Sequence, residues 1–187
     1  MDATDCKTTN QGACPEAFFS FKFKYGALRY ELGNNIRTGD VCWISGPFPP
    51  GDWHDLEIFR FALKLRLDPK ERVEANDGYI GEDPCSTKCP GGVRFMEDKR
   101  WHKKRSKVRN RGETVNHRLK TFGILFMTFR HNIEKHSMCF RACAVFTQLS
   151  LEVGTKKLFQ VPDYHQDTTN NPLEVPLPEP PTANGFM

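Results

Sequence analysis

The chain lacks the long apolar runs that a membrane-spanning or exported protein needs. Its opening residues, Met1 to Cys6, are polar and acidic, so we expect no secretory signal peptide. No stretch is apolar over the roughly 20 residues that cross a bilayer. Seven cysteines, an odd number, occur in 187 residues, and without an export signal they indicate reduced thiols and no disulfide framework. The sequence predicts a nuclear or cytoplasmic protein that is not secreted and has no membrane partner.

Several catalytic and metal-binding motifs are also missing. There is no glycine-rich phosphate loop and no Gly-x-Ser-x-Gly sequence, so nucleotide-binding and serine-hydrolase functions have no support. Cys85, Cys89 and His102 begin with the spacing of a zinc finger. The final histidine should then stand at 106–108, where the residues are Ser, Lys and Val. Structural zinc is therefore the minor alternative.

Positive charge is concentrated in one segment of a mildly basic chain. The formal net charge is only +4, yet eight of the thirteen residues from Lys99 to Arg111 are Lys or Arg. Such a run repels itself and is usually an exposed loop, a localisation signal or a segment that binds a polyanion. We prefer phosphate binding because the run leads directly to Glu113, a candidate site residue.

Hydrophobic patterning predicts strands first and helices later within one domain. Turns are predicted at Tyr25-Gly26 and Gly39-Asp40, and the prolines of Gly46 to Gly51 should end the third strand. Another helix should end at Asp68-Pro69. A mixed sheet flanked by helices follows. The predicted strands are 18–24, 28–36, 41–44 and 72–75, and the predicted helices are 53–67, 113–130 and 137–151.

The helix predicted from Gly112 would carry one polar and one apolar stripe. Positions three, four and seven residues apart share a helix face. The polar stripe is Glu113, Asn116, His117 and Lys120, and the apolar stripe is Val115, Leu119, Phe122 and Phe126. A carboxylate beside cations suits a metal site that handles phosphate, although an ordinary amphipathic surface helix has the same pattern.

Acidic or amide side chains from two predicted strands could converge with Glu113 of this helix. Asp2 lies in a plausible first strand, Asn76 and Asp77 follow a later strand, and Glu113 comes 36 residues after Asp77. Carboxylates from two strand ends and a helix can hold two divalent ions that act on a phosphodiester. Scattered surface carboxylates are the alternative.

Three motifs together resemble a known family. They are Gly46-Pro-Phe-Pro-Pro-Gly-Asp-Trp-His-Asp55, Glu74-Ala-Asn-Asp-Gly-Tyr79 and Arg109-x3-Glu113-x6-Lys120. They resemble the DDE endonuclease domain of Harbinger- and IS5-type DNA transposases, over about residues 1–165. The resemblance implies an α/β, RNase H-like fold, a mixed β-sheet flanked by α-helices. It also implies cleavage and joining of DNA with a two-metal Mg²⁺ or Mn²⁺ centre. Residues 166–187 would form a disordered, proline-rich tail.

The resemblance implies a role for each matching residue. Asp2 matches the first acidic ligand and Glu113 the third. At the second acidic position the chain has Asn76, while Asp77 occupies the variable position that follows. The implied catalytic residues are thus Asp2, Asn76, Asp77 and Glu113, and the metal ligands are Asp2, Asp77 and Glu113. An amide supplies no charge to a cation pair, and Asp77 could replace it only through a register shift that normally reverses side-chain direction.

Two functional hypotheses remain open. The first is a metal-dependent endonuclease or transposase, impaired by Asn76. The second is a catalytically inactive, transposon-derived DNA-binding protein. The chain begins at the first catalytic strand, so an N-terminally truncated domain is expected, and a homo-oligomer is compatible with transposition. The cations assigned to DNA are Lys99, Arg100, Lys103, Lys104, Arg105, Lys107, Arg109, Arg111 and Lys120.

Two further positions have alternative roles. Asp55 is characteristic of the family and is interpreted as a helix cap, with a supporting catalytic role as the minor alternative. Trp101 and His102 lie inside the basic run, where they could stack on a base or a sugar. Packing of Trp101 against the helix is an equally good interpretation.

Overall fold

The computed structural model describes residues 1–9, 16–86 and 96–155. The predicted tail and the side chains of Arg100, Trp101 and His102 lie outside the described part. The strands are β1 (Asp2–Lys7), β2 (Phe19–Ser20), β3 (Tyr25–Asn34), β4 (Val41–Phe48), β5 (Val73–Glu74) and β6 (Cys85–Ser86). The helices are α1 (Asp55–Phe61), α2 (Met96–Leu119), α3 (Gly123–Phe126) and α4 (Ile133–Ser150). Short 3₁₀ turns follow α1 at Lys64–Arg66 and β5 at Asp77–Tyr79, and a π-helical turn, Leu151–Thr155, follows α4.

An open antiparallel sheet is built around β3. β1 pairs with β3 from Asp2 opposite Leu32 to Lys7 opposite Ala27, and β2 and β4 also pair with β3. β5 and β6 form a separate parallel pair. The backbone nitrogen of Met1 donates to the Glu74 carbonyl at 2.7 Å, so β5 lies beside the start of β1. The mixed α/β class predicted from the sequence is confirmed.

Alternation along β3 sends its side chains to two different layers. Leu28, Tyr30 and Leu32 pack with residues of α2 and α4, among them Val115 and Phe140, in the main core. Arg29 and Glu31 point to the opposite face, where Glu31 accepts a hydrogen bond from the Tyr79 hydroxyl at 3.2 Å. A smaller core on that side holds Phe59, Ala75 and Tyr79. Helices therefore cover both faces of the sheet.

A buried aromatic stack connects β3 to α4. The Tyr30 and Phe140 rings are parallel, with centroids 3.8 Å apart. The Tyr30 hydroxyl hydrogen-bonds with Nδ1 of His136 at 2.8 Å. His136 is fully buried, and its Nε2 has no hydrogen-bond partner within the described part of the chain. Burial lowers the pKa of His136 to about 4, so the ring is neutral at physiological pH.

The prediction of a strand over residues 18–24 is correct only for residues 19 and 20. Only Phe19–Ser20 is a strand. The Ser20 carbonyl then accepts the amides of Phe23 and Lys24 at 3.2 and 2.8 Å, and Lys24 adopts a positive φ of 53°. This closes a turn, and Tyr25-Gly26, predicted as the turn, begins β3 instead.

The third predicted strand extends past Pro47 but ends at Phe48, directly before Pro49. β4 continues to Phe48, and the pairing register with β3 shifts between Arg29 and Glu31. Among the described strands, β4 pairs only with β3 and so lies at an edge, where a residue without an N–H is tolerated. Gly46 has φ +122°, and a Cβ there would lie 2.7 Å from the Arg29 carbonyl oxygen. Glycine is required at this bulge.

The predicted helix boundaries also need correction. α2 begins at Met96, so the basic run is helical and not a loop, and it ends at Leu119, so 113–130 is not one helix. Lys and Arg favour helix, and the tertiary contacts described below hold the run in place. In the apolar stripe, Val115 and Leu119 are buried as predicted, whereas Phe126 is 69% exposed.

The other two helices match their predictions in part. α1 is shorter than the predicted 53–67. α4 starts before the predicted 137, since the Asn132 side chain accepts the Glu134 amide as an N-cap. Within residues 1–9, 16–86 and 96–155, no helix combines the length and apolar character needed to cross a bilayer.

Candidate functional site: a basic cavity beside Asp2

A cavity of about 1060 Å³ lies between β1, α2 and the segment that follows α2. The bridge between Thr8 and Phe129 holds that segment against the end of β1, which brings Arg130 and His131 to the cavity. All four members of the predicted polar stripe line one wall, three of them in α2 and Lys120 directly after its end. The polar lining residues are Asp2, Thr4, Lys7, Lys22, Glu113, Asn116, His117, Lys120, Thr128, Arg130 and His131.

The fold determines how Asp2 meets α2. The side chain of Asp2 points to the same face of β1 as that of Cys6, because the two positions are four residues apart in a strand. Cys6 packs in the core shared with α2 and α4. α2 is anchored in that core by Val115 and Leu119. The intervening Asn116 is therefore turned toward β1, where it is 9% exposed.

Both carboxylate oxygens of Asp2 accept side-chain amide hydrogens. Asn76 Nδ2 donates to Oδ1 at 2.6 Å, and Asn116 Nδ2 donates to Oδ2 at 2.6 Å. The backbone amide of Ala3 also donates to Oδ1, at 2.9 Å. Hydrogen bonds to a carboxylate are of the stronger kind, so these neutral donors fix the orientation of the Asp2 side chain.

The position of Asn76 is set by the turn that it caps. Its Oδ1 accepts the backbone amide of Gly78 at 3.0 Å, at the start of the Asp77–Tyr79 turn. With the oxygen so occupied, Nδ2 points to Asp2. A Cβ at Gly78 would lie 2.9 Å from Asp55 Oδ2, so a side chain there would displace the Asp55 carboxylate. Asp77 is exposed, and its neighbour Asn76 makes the contact with Asp2.

Asp55 belongs to a separate ionic network on the other face of the sheet. It is the first residue of α1, and the residue before it, His54, is the cap. Its carboxylate lies 3.2 Å from Arg29, which also pairs with the buried Asp5 at 2.7 Å. Burial raises the pKa of Asp55, and Arg29 partly offsets that rise. These contacts give Asp55 a structural role that joins α1 to β3.

Part of the predicted DNA-binding set has partners within the protein. Arg105 Nε lies 2.9 Å from one Glu74 oxygen, and Arg109 Nη1 lies 3.3 Å from the other. Both arginine side chains are nearly buried, at 11% and 12% exposure. Lys120 donates to the Asp5 carbonyl, and its Nζ lies 5.1 Å from the Phe23 ring centroid.

Other members of that set remain available on the outside of α2. Lys99, Lys103 and Lys107 are exposed. Glu113 is also exposed, on the cavity wall formed by α2. The sequence interpretation missed Lys7, Lys22 and Arg130, because only the folded chain brings them to Asp2 and Glu113.

The cavity lining is positive overall. Four basic side chains, Lys7, Lys22, Lys120 and Arg130, face two carboxylates, Asp2 and Glu113. A pair of divalent cations needs several negative oxygen ligands, and one of these two carboxylates already accepts two amides. Among the described residues, no three His, Cys, Asp or Glu side chains lie together as a metal-binding group. This set of donors does not fit a two-metal centre, whereas an anion would be attracted to it.

Comparisons with protein-family models, with curated proteins and with solved structures found no significant similarity for this chain.

Proposed function

We propose that this chain is a DNA-binding domain related to the DDE transposases, which holds the phosphate backbone at the Asp2 cavity without cutting it. The observation that carries the proposal is the pairing of Asp2 with two neutral amides inside a lining that has more cations than carboxylates. Such a surface attracts phosphate and repels divalent cations. A nuclear location would follow from DNA as the partner.

The relation to an RNase H-like fold is supported by the surroundings of β1. Met1 bonds to Glu74, and Asp2 bonds to Asn76. Both contacts place the segment from Glu74 to Asn76 beside the start of β1, which pairs antiparallel with β3. The resemblance leads us to expect this proximity, because it assigns the first acidic position to Asp2 and the second to Asn76.

DNA binding is tested by fluorescence anisotropy with a labelled duplex over a range of salt concentrations. The double variant Lys22→Ala/Arg130→Ala removes two exposed cavity cations, and Lys70→Ala/Lys135→Ala removes two exposed cations that do not line it. We expect the first pair to reduce the slope of log K against log salt by about 2, at about 0.9 per lost phosphate contact. Equal slopes for the two double variants would refute the cavity as the binding surface.

Cleavage is tested by plasmid nicking with Mn²⁺. We expect no nicking by the unmodified chain and restored nicking by Asn76→Asp, because the second carboxylate would then stand beside Asp2. Adding Glu113→Gln to Asn76→Asp should abolish that activity. Nicking by the unmodified chain that Glu113→Gln removes would instead establish the metal-dependent endonuclease, with Mg²⁺ or Mn²⁺ as its cofactor.

A further inference from the structure

Within the described part of the chain, two buried hydrogen-bond donors without a partner belong to residues that line a second, small cavity on another side of α2. The cavity measures about 30 Å³ and is lined by Met1, Asn34, Asn35, Val108 and Arg111, among others. Asn34 Nδ2 and Arg111 Nη1 are both buried, and neither has a hydrogen-bond partner among the residues that the structure describes. Burial lowers the pKa of Arg111, but a guanidinium remains charged in a protein.

These two donors indicate the kind of ligand that the cavity would bind, namely a hydrogen-bond acceptor. A buried charged N–H without a partner is costly, so the arrangement calls for an acceptor that the described residues do not supply. A cavity of about 30 Å³ has room for at least one water-sized group. An oxygen atom fits it, such as one oxygen of a phosphate group that remains outside.

Arg111 also belongs to a wider groove of about 460 Å³ along α2. Lys103, Lys107 and Arg111 stand at intervals of four residues, so they share a helix face. At about 1.5 Å per residue, the outer two are about 12 Å apart along the axis. The groove is lined by Lys103, Ser106, Lys107, Asn110, Arg111 and Thr114, with no carboxylate among these residues.

We propose that Arg111 and Asn34 bind one phosphate oxygen of a nucleic-acid backbone that lies along this groove, with Lys103 and Lys107 against neighbouring phosphates. The inference rests on the proposed function, since it assumes a DNA partner. It adds a second contact surface, on a different face of α2 from Glu113 and Asn116, and it assigns a binding role to Asn34, which lies far from the basic run in the sequence.

The test pairs DNA binding with thermal stability in the absence of DNA. Arg111→Met removes the buried charge but retains an unbranched side chain, and the matched control Lys107→Met removes an exposed charge from the same groove. We expect both variants to lower the salt-dependence slope by about 1. Only Arg111→Met should raise the Tm of the free protein, because it removes an unpartnered buried donor. Asn34→Val should weaken binding without a change in slope, since the amide is neutral.

The outcomes separate this inference from the proposed function. Absence of DNA binding by the unmodified chain would mean that the proposed function fails. DNA binding with an unchanged slope in Arg111→Met would overturn the present inference alone. Inorganic phosphate is titrated separately. Suppose that it raises the Tm of the unmodified chain but not that of Arg111→Met, and that Arg111→Met leaves the salt-dependence slope of DNA binding unchanged. The position then binds a free anion, and the nucleic-acid assignment is wrong.

Discussion

Replacing Asn76 with aspartate gives the most direct test of the site geometry. In the structure, Asn76 Nδ2 donates to Asp2 Oδ1 at 2.6 Å. Asn76→Asp substitutes an oxygen for that nitrogen, while the Gly78 amide keeps its acceptor. One hydrogen bond to a charged group is lost, and two carboxylates are brought into contact. We therefore expect the variant to be less stable than the unmodified chain at neutral pH.

The size of the effect follows from these two changes. Hydrogen bonds to charged groups contribute about 1.5–3 kcal/mol. Two like charges about 4 Å apart repel by about 4 kcal/mol at an effective dielectric constant near 20. Asp2 is partly exposed, and one carboxylate can take up a proton, so much of the repulsion is relieved. A net loss of about 2 kcal/mol, or a Tm lower by about 4–8 °C in a domain of this size, is the expected result.

The assay is thermal unfolding at pH 7.5 and pH 5, with and without Mn²⁺. The loss should shrink at pH 5, because protonation of one carboxylate restores a donor between the two groups. Mn²⁺ should raise the Tm of Asn76→Asp and leave the unmodified chain unchanged. The matched control is Asn35→Asp, an exposed asparagine whose Oδ1 accepts two backbone amides, where aspartate should cost little. A Tm for Asn76→Asp within about 1 °C of the unmodified chain at both pH values would refute the Asn76–Asp2 hydrogen bond.

Three predictions concern stability and are checked by urea unfolding. Burial lowers the pKa of His136 to about 4, so at mildly acidic pH the folded state binds fewer protons than the unfolded state. The free energy of unfolding should therefore be highest above about pH 6.5 and fall by about 3 kcal/mol between pH 6.5 and pH 4. His136→Phe should abolish that component, and an unchanged pH profile would contradict the assignment. Glu74→Gln should cost about 3 kcal/mol, because it removes the buried carboxylate that pairs with two nearly buried arginines of α2. A loss below about 0.5 kcal/mol would show that the fold does not depend on these pairs. Gly46→Ala should destabilise the protein by about 2 kcal/mol, because Gly46 has a positive φ and its Cβ would approach the Arg29 carbonyl. The control Gly112→Ala in α2, where a Cβ would meet open space, should stabilise the protein by up to about 1 kcal/mol. Equal effects of the two substitutions would contradict the bulge geometry.

Local patterns predicted those parts of the fold that depend on local interactions. The first strand, the strand before Asn76 and the last helix were predicted from the sequence, and each is present in the structure. The stripe from Glu113 to Lys120 was likewise placed on one helix face, and its four polar members line one cavity. Helical spacing alone is sufficient for that prediction.

The errors arose where distant residues decide the structure. The basic run resembles a loop because its neighbouring charges repel, but Glu74, 31 and 35 residues away in sequence, pairs with Arg105 and Arg109. β4 includes Pro47 because it lies at an edge and the bulge beside Gly46 accommodates one extra residue. The contact between Asn116 and Asp2 spans 114 residues, and no local pattern marks it.

The internal pairing of α2 changes how strongly DNA binding should depend on salt. The sequence offers eight cations between Lys99 and Arg111, and contact of all eight with phosphate would give a slope near about −7. Arg105 and Arg109 are already paired with Glu74, which leaves no more than six and a slope no steeper than about −5. A steeper slope would require the cations of the Asp2 cavity as well, and Lys22→Ala/Arg130→Ala should then return it to about −5. A slope near −7 that this double variant does not change would mean that DNA displaces Glu74 from its arginines, and that α2 rearranges on binding.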